Sequence, residues 1–466
     1  MFGLDPGIFA LLILCLLAAC AFEFVNGFHD TANAVATVIY TNSLKPVHAV
    51  VWSGICNFVG VFLGGIGVAM GIVKLLPVEA LVDANIYHNI ALVMSLLLSA
   101  IIWNLGTWYL GLPASSSHTL IGSIIGVGLA FPFVEEGTSV AVDFTKAVEI
   151  GASLIVSPLV GFSFTVLIMF IMKKFLDNDA IFKEPKKGKH PPFWIRSILV
   201  VTCTGVSVAH GANDGQKGVG LMMLILIGIL PAYFALNTAR PINVAIPHLK
   251  NAEHILAKIN GNDLGLNDQK LLQKSMEGVG KLHLIAEDKR TSSELNASEK
   301  LEIRALLIRL NKNANSLLKS PDLALSRQQR KLLTNSLDGL KLHTDYPILW
   351  VTFLISISLG LGTMIGWKRI VKTLGEKIGK EHLTYAQGAS SELVAAITIA
   401  CSTWLSLPVS TTHVLSSGIA GSMVASKGVK NLRKDTITNI LLAWLFTVPV
   451  TILLSGSLFF LFRSLM

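Results

Sequence analysis

The chain has 466 residues, of which 52% are hydrophobic and only 14% charged, with a formal net charge of +9. Soluble domains average about 25% charged residues, so an ordinary soluble globule is excluded, and the apolar content excludes a disordered chain. The length excludes a small disulfide scaffold, and Cys15, Cys20, Cys56, Cys203 and Cys401 lie in apolar stretches without paired spacing, as buried small hydrophobes do. A polytopic membrane protein remains.

Residues 11–20, LLILCLLAAC, resemble a signal-peptide core, but residues 1–9 hold Asp5 and no Lys or Arg. The positive leader is missing, so this stretch reads as a retained first membrane helix. A helix needs about 20 apolar residues to cross the hydrocarbon core. Spans are expected near 8–26, 47–73, 89–110, 148–172, 194–210, 217–236, 347–366, 390–405 and 437–463. The apolar segments 112–131 and 408–426 contain Pro, Gly and Ser/Thr, and with them the expectation is ten to twelve membrane-embedded helical pieces. Continuous apolar runs, without period-two alternation, disfavour a β-barrel.

Residues 239–345 differ in kind, with 17 Lys/Arg and 12 Asp/Glu in 107 positions. They read as a water-exposed insert, with amphipathic helices over 267–287 and 298–319 and an interaction or spacer role. The chain thus divides into a first membrane repeat at 1–172, a basic loop at 173–193, membrane segments at 194–238 and 346–466, and the insert between them. Over residues 173–196, Lys173, Lys174, Lys183, Lys186, Lys187, Lys189 and Arg196 place that loop in the cytoplasm by the positive-inside rule. Two spans between it and the insert would return the insert to the cytoplasmic side. The basic charge reads as orientation, not as a nucleic-acid surface.

The informative feature is a double repeat. NGFHDTANA at 26–34 matches HGANDGQKG at 210–218, with Gly27 on Gly211, His29 on Asn213, Asp30 on Asp214 and Asn33 on Lys217. LPASSSHTL at 112–120 matches LPVSTTHVL at 407–415, setting Ser115, Ser116, Ser117 and His118 on Ser410, Thr411, Thr412 and His413. From Asp30 to His118 is 88 residues; from Asp214 to His413 is 92 once the insert is removed. Paired polar interruptions in two halves point to a transporter site near the bilayer midplane. Helix N-termini and hydroxyl donors there suit an anion.

Asp30 and Asp214 are costly in a bilayer and require a cation, a shared proton or a partner. A bound metal ion or sodium would serve, as would protonation of an oxyanion that uses the carboxylate as acceptor. Lys217 can neutralise an aspartate, hold substrate or snorkel. His29, His118, His210 and His413 lie in or beside the motifs as proton relays or as satisfied hydrogen-bonding groups. Glu23 and Glu392 are further carboxylates that can couple a cation or sit in buried hydrogen bonds.

The two motif pairs resemble the Pit-type inorganic phosphate transporters, whose duplicated GANDVAN-type signature is similar to NGFHDTANA and HGANDGQKG. The likeness extends to both LP…H segments, to FGLDPG and to WNLGTWYLGLPASSSHTLIGSIIG, and is nearest the bacterial low-affinity permeases. It implies an all-α polytopic membrane fold with two inverted repeats of broken helices around a central phosphate site. It further implies a cell-membrane location (the inner membrane in a Gram-negative cell) and alternating access without ATP hydrolysis, so not an enzyme. Bacterial members are similar in coupling phosphate to protons, often as a metal–phosphate complex, and others use sodium.

On this reading Ser115, Ser116, Ser117, Ser410, Thr411 and Thr412 bind phosphate, Asn33 and Asn213 orient it, and Lys217 contributes to substrate binding. Asp30 and Asp214 bind the co-transported proton or a divalent metal such as magnesium, with His29, His118, His413, Glu23 and Glu392 as further coupling groups. No permanently bound cofactor is expected; the partners are phosphate, membrane lipid and, in one option, a second copy as a homodimer. His29 and Lys217 depart from the signature, and a fixed ammonium at 217 opposes a sodium site. The alternatives are a sodium-coupled phosphate or sulfate carrier and, in another class, a membrane-embedded metal-dependent hydrolase.

Overall fold

The computed structural model describes residues 4–75, 86–133, 144–176, 179–186 and 188–465. Among them are seventeen α-helices and no β-strand. They are α1 (Pro6–Tyr40), α2 (Pro46–Leu63), α3 (Gly67–Val73), α4 (Ile86–Leu110), α5 (Ser116–Ala130), α6 (Phe144–Phe175), α7 (Phe193–Ile229), α8 (Pro231–Phe234), α9 (Ala245–Leu256), α10 (Leu266–Ala286), α11 (Ala297–Leu318), α12 (Arg327–Lys341), α13 (Leu349–Met364), α14 (Lys368–Lys372), α15 (Tyr385–Trp404), α16 (Thr411–Lys427) and α17 (Lys434–Leu465). Two compact units result: a membrane unit of Gly3–Ile225 with Pro347–Met466, and a second unit of Leu226–Tyr346.

Among the described residues, seven helices are long and apolar enough to cross a membrane, or eight when α13 and the segment Lys368–Lys377, bent by 52°, count as one span. Large apolar side chains such as Leu17, Phe164, Leu445 and Leu453 are exposed on them, as lipid-facing positions require.

Motif one does not break its helix in either half. Residues 26–34 lie inside the 35-residue α1 and residues 210–218 inside the 37-residue α7. Neither motif contains proline, so the i→i−4 ladder runs through. The spans expected at 194–210 and 217–236 are therefore one helix, about 55 Å long at 1.5 Å per residue. The parity that returned the insert to the side of the basic loop loses one crossing. The expected span 47–73 divides instead into α2 and α3, at Gly65 with its φ of +74°.

The motif glycines serve packing. A Cβ on Gly27 would lie 2.4 Å from the carbonyl oxygen of Leu359 in α13, and one on Gly211 would lie 2.2 Å from that of Asn57 in α2. Each motif helix is thus pressed against a helix of the other half. The exchange recurs further along: α5 packs on α17, and α16 on α6. Both α6 and α17 are 32 residues long with an internal proline, Pro158 and Pro449.

Motif two supplies the true breaks. Gly111 (φ +69°) ends α4 and Ser406 (φ +58°) ends α15, both in the left-handed region. The amides of Leu112 and Leu407 reach back to the carbonyls of Thr107 and Ser402, each at 2.9 Å. This is the Schellman arrangement, and the proline that follows prevents continuation. Ser115 and Ser410 then cap α5 and α16, accepting from the His118 and His413 amides at 3.2 and 3.1 Å.

The second unit buries Leu249, Leu282, Ile303, Leu310, Leu333 and Leu337 among α9–α12; α10 and α11 match the amphipathic helices expected over 267–287 and 298–319. Asn296 with Glu299 and Ser326 with Gln329 form capping boxes at α11 and α12. The entry and exit of this unit are tied together. Arg304 Nη1 donates to the carbonyls of Ala235 (3.0 Å) and Thr344 (2.9 Å), and Tyr346 Oη donates to that of Phe234 at 2.7 Å.

Candidate functional site

The middles of α1 and α7 meet the N-termini of α5 and α16 at one buried cluster. Thr412 Oγ1 donates to Asp30 Oδ1 at 2.5 Å. Ser116 Oγ lies 3.0 Å from Asp30 Oδ2 and 3.4 Å from Asp214 Oδ2, so its one hydroxyl proton can serve either carboxylate. Lys217 Nζ is 2.7 Å from Asp214 Oδ1 and donates to Ser117 Oγ at 2.5 Å, while Ser117 donates to the Val409 carbonyl. Asp30, Asp214 and Lys217 are all fully buried. Both helix N-termini present their positive ends here, favouring negative charge.

The hydrogen bonds determine the His210 tautomer. Thr363 Oγ1 donates to the Leu359 carbonyl (2.8 Å) and so accepts from Asn57 Nδ2 at 3.0 Å. Asn57 therefore presents Oδ1 to His210 Nδ1 at 2.9 Å, and that nitrogen carries the proton. Nε2 faces Asp214 Oδ2 at 3.5 Å and Asp30 Oδ2 at 3.8 Å. A lone pair directed at two carboxylates is unfavourable unless a proton or cation lies between them. One donor atom from each of Asp30, His210 and Asp214 lies within 4.8 Å of the others, so the three can ligate a metal ion. Carboxylate oxygens with one imidazole suit a divalent cation of the first row or magnesium.

The remaining expected residues differ in what their side chains do. Ser115 and Ser410 serve as helix caps, with their oxygens directed at backbone amides. The Thr411 hydroxyl is buried with no hydrogen-bond partner among the described residues and is available to a ligand. Asn213 holds the second break: its amide donates to Thr403 Oγ1 (3.0 Å) and the Leu407 carbonyl (3.2 Å) and accepts from Val409 N at 3.3 Å. Its amide is committed to the loop, which makes it a positioning residue.

His29, at the matching place in α1, bonds Thr107 Oγ1 near the first break at 3.2 Å and approaches Asp30 Oδ1 at 3.4 Å. His118 and His413 stack on each other with ring centres 4.6 Å apart, and His413 stacks on Trp444 at 3.8 Å. The Asn33 side chain lies outside the described residues.

Glu23 and Glu392 sit on opposite sides of Asp30 along α1. Glu23, two helical turns before Asp30, accepts from Asn26 and fills the space beside Gly218 of α7. Glu392 accepts from Thr37, two turns after Asp30, and from Thr202 of α7 at 2.5 Å. Asn57, Thr107, Thr363 and Thr403 escape sequence reasoning because a lone polar residue in an apolar span resembles any interhelical hydrogen bond.

The sequence model of the phosphate transporter family matches residues 26–455. The low-affinity inorganic phosphate transporter PitA of Escherichia coli K12 is 40% identical over 493 aligned residues, which cover 98% of each chain. The probable low-affinity inorganic phosphate transporter of Bacillus subtilis is 28% identical, again covering 98% of each chain. A solved structure described as the sodium-dependent phosphate transporter has a similar fold, with a TM-score of 0.55 at 18% identity over 98% of this chain and 100% of that one.

Proposed function

Since the chain belongs to the phosphate transporter family, we propose that it takes up inorganic phosphate by proton symport, with phosphate travelling as a complex with a divalent cation. The charge of the buried cluster carries this reading. Two carboxylates and one ammonium leave it one negative charge. Hydrogen phosphate alone would raise that to three, a state too costly to move through a membrane interior. A divalent cation brought with hydrogen phosphate adds no net charge, and the Asp30–His210–Asp214 donors can hold that cation.

The Ser116, Thr411 and Thr412 hydroxyls and the α5 and α16 N-termini then face the phosphate oxygens, while Ser117 holds the Lys217 ammonium beside them. The two halves act as inverted repeats that rock about this site, and the loaded carrier reorients once the co-transported proton cancels the one negative charge that the metal–phosphate complex leaves. The solved relative is described as sodium-dependent; here the Lys217 ammonium, 2.7 Å from Asp214 Oδ1, already supplies that carboxylate with the single positive charge a bound monovalent cation would bring.

Labelled phosphate uptake into proteoliposomes, with pH gradient, sodium and magnesium varied separately, tests the reading. Uptake should rise with an inward proton gradient and with added magnesium and ignore sodium. Strict sodium dependence without response to a pH gradient would overturn it.

A further inference from the structure

We propose that the soluble insert stands on the extracytoplasmic face of the membrane, the side from which phosphate is taken up, and meets partners only there. The proposal rests on three observations independent of the substrate.

The first is a closed ring of contacts at one end of the membrane unit. Asn42 donates to the Lys186 carbonyl, His190 bonds the Asn42 carbonyl and Arg196 donates to that of Ser43, joining the α1–α2 loop to the segment before α7 and to the first turn of α7. Tyr40 donates to Glu376. Lys427 pairs with Glu381, Arg433 N reaches the Ile378 carbonyl, and Lys173 reaches that of Ala425. The segments that meet here contain sixteen of the 21 basic residues outside the insert, from Lys45 through Lys186 and Arg369 to Lys434. By the positive-inside rule this end is cytoplasmic.

The second is the direction of the helices that carry the insert. Helix α7 begins at this end and runs unbroken for 37 residues, about 55 Å, against a hydrocarbon core of about 30 Å. It ends on the opposite side. Helix α13 runs parallel to α1, because Gly362 lies on Phe24 and Gly366 on Phe28. Since α1 reaches the cytoplasmic end at Tyr40, Leu349 begins α13 on the outer side.

The third is the clamp at the neck of the insert. Tyr346 bonds Phe234, and Arg304 bonds both Ala235 and Thr344, so the chain enters and leaves at adjacent points, as one common exit face requires.

The test uses the full chain in sealed membranes of known orientation and a membrane-impermeant maleimide, with wild-type labelling subtracted for Cys401. Leu284→Cys, at an 87% exposed position of the insert, should label in right-side-out vesicles and not in inside-out ones. Glu184→Cys, on the basic loop, should do the reverse. Labelling of both from one side would refute the single crossing by α7. An exchanged pattern would refute the assignment of the basic end. Either result overturns the proposal, and retained phosphate uptake verifies that each variant is folded.

Discussion

Replacing Lys217 by methionine keeps the length of the side chain and removes its charge. At 2.7 Å from Asp214 Oδ1 the Coulomb attraction is about 6 kcal/mol at an effective dielectric of about 20. Desolvation offsets part of this, and removing one partner of a buried pair costs roughly 3–5 kcal/mol. Most of that loss arises because Asp214 remains buried and charged, so removing Asp214 as well should return much of it. Thermal unfolding in detergent of the wild type, Lys217→Met, Asp214→Asn and the double variant closes the cycle. The double variant should be more stable than Lys217→Met alone, with a coupling of about 3 kcal/mol, roughly a hundredfold in an equilibrium. Additivity of the two single losses within about 0.5 kcal/mol would refute the pairing, and with it the charge count that motivates a co-transported cation.

Asp30→Asn and Asp214→Asn should each cut phosphate uptake severely while the protein still reaches the membrane; near-normal uptake by both removes the aspartates from transport. Asn57→Ala frees the His210 ring and should weaken the magnesium dependence of uptake about 10- to 100-fold, as loss of groups orienting a metal ligand does; an unchanged magnesium response would dissociate His210 from the cation. Gly27→Ala and Gly211→Ala drive a Cβ into a backbone carbonyl and should abolish the monodisperse peak in size-exclusion chromatography, whereas Gly106→Ala, whose added carbon points into open space beside its helix, should leave it unchanged.

In the insert, burial holds His343 down at about 4, below its ordinary value. The unfolded chain therefore binds the proton first, and stability falls as pH drops from about 6.5 towards 4, by up to roughly 3 kcal/mol. Hydrogen exchange of the α9 and α12 amides should accelerate over this window in the wild type and less in His343→Gln; equal acceleration would exclude His343 as the cause.

The sequence reveals the second motif almost completely, because Leu-Pro followed by Ser or Thr both stops one helix and caps the next. It misleads at the first motif. Glycine in an apolar stretch marks either a break or a close approach of two backbones, and only the neighbours from the other half distinguish them: Leu359 at Gly27 and Asn57 at Gly211. The same ambiguity divided α7 into two spans, since the polar residues at 210–218 lower its local hydropathy while other helices bury them. Asp30, Asp214 and Lys217 stand out in the sequence because charge is rare in the membrane segments. The role of Asn213 does not, since its partners Thr403, Leu407 and Val409 lie some 190 residues away.

The exchange of walls between the halves has a consequence for biogenesis. Helix α1 leaves the ribosome long before α16 is made, and Asp30 meets Thr412 across 382 residues of chain. Throughout that interval Asp30 lacks this hydroxyl, and Gly27 lacks the α13 surface it will contact. The carboxylate cluster is completed only when the C-terminal third has been inserted. A chain arrested before α16 therefore holds an incompletely satisfied charge in the membrane, the kind of defect by which quality control recognises an unfinished protein.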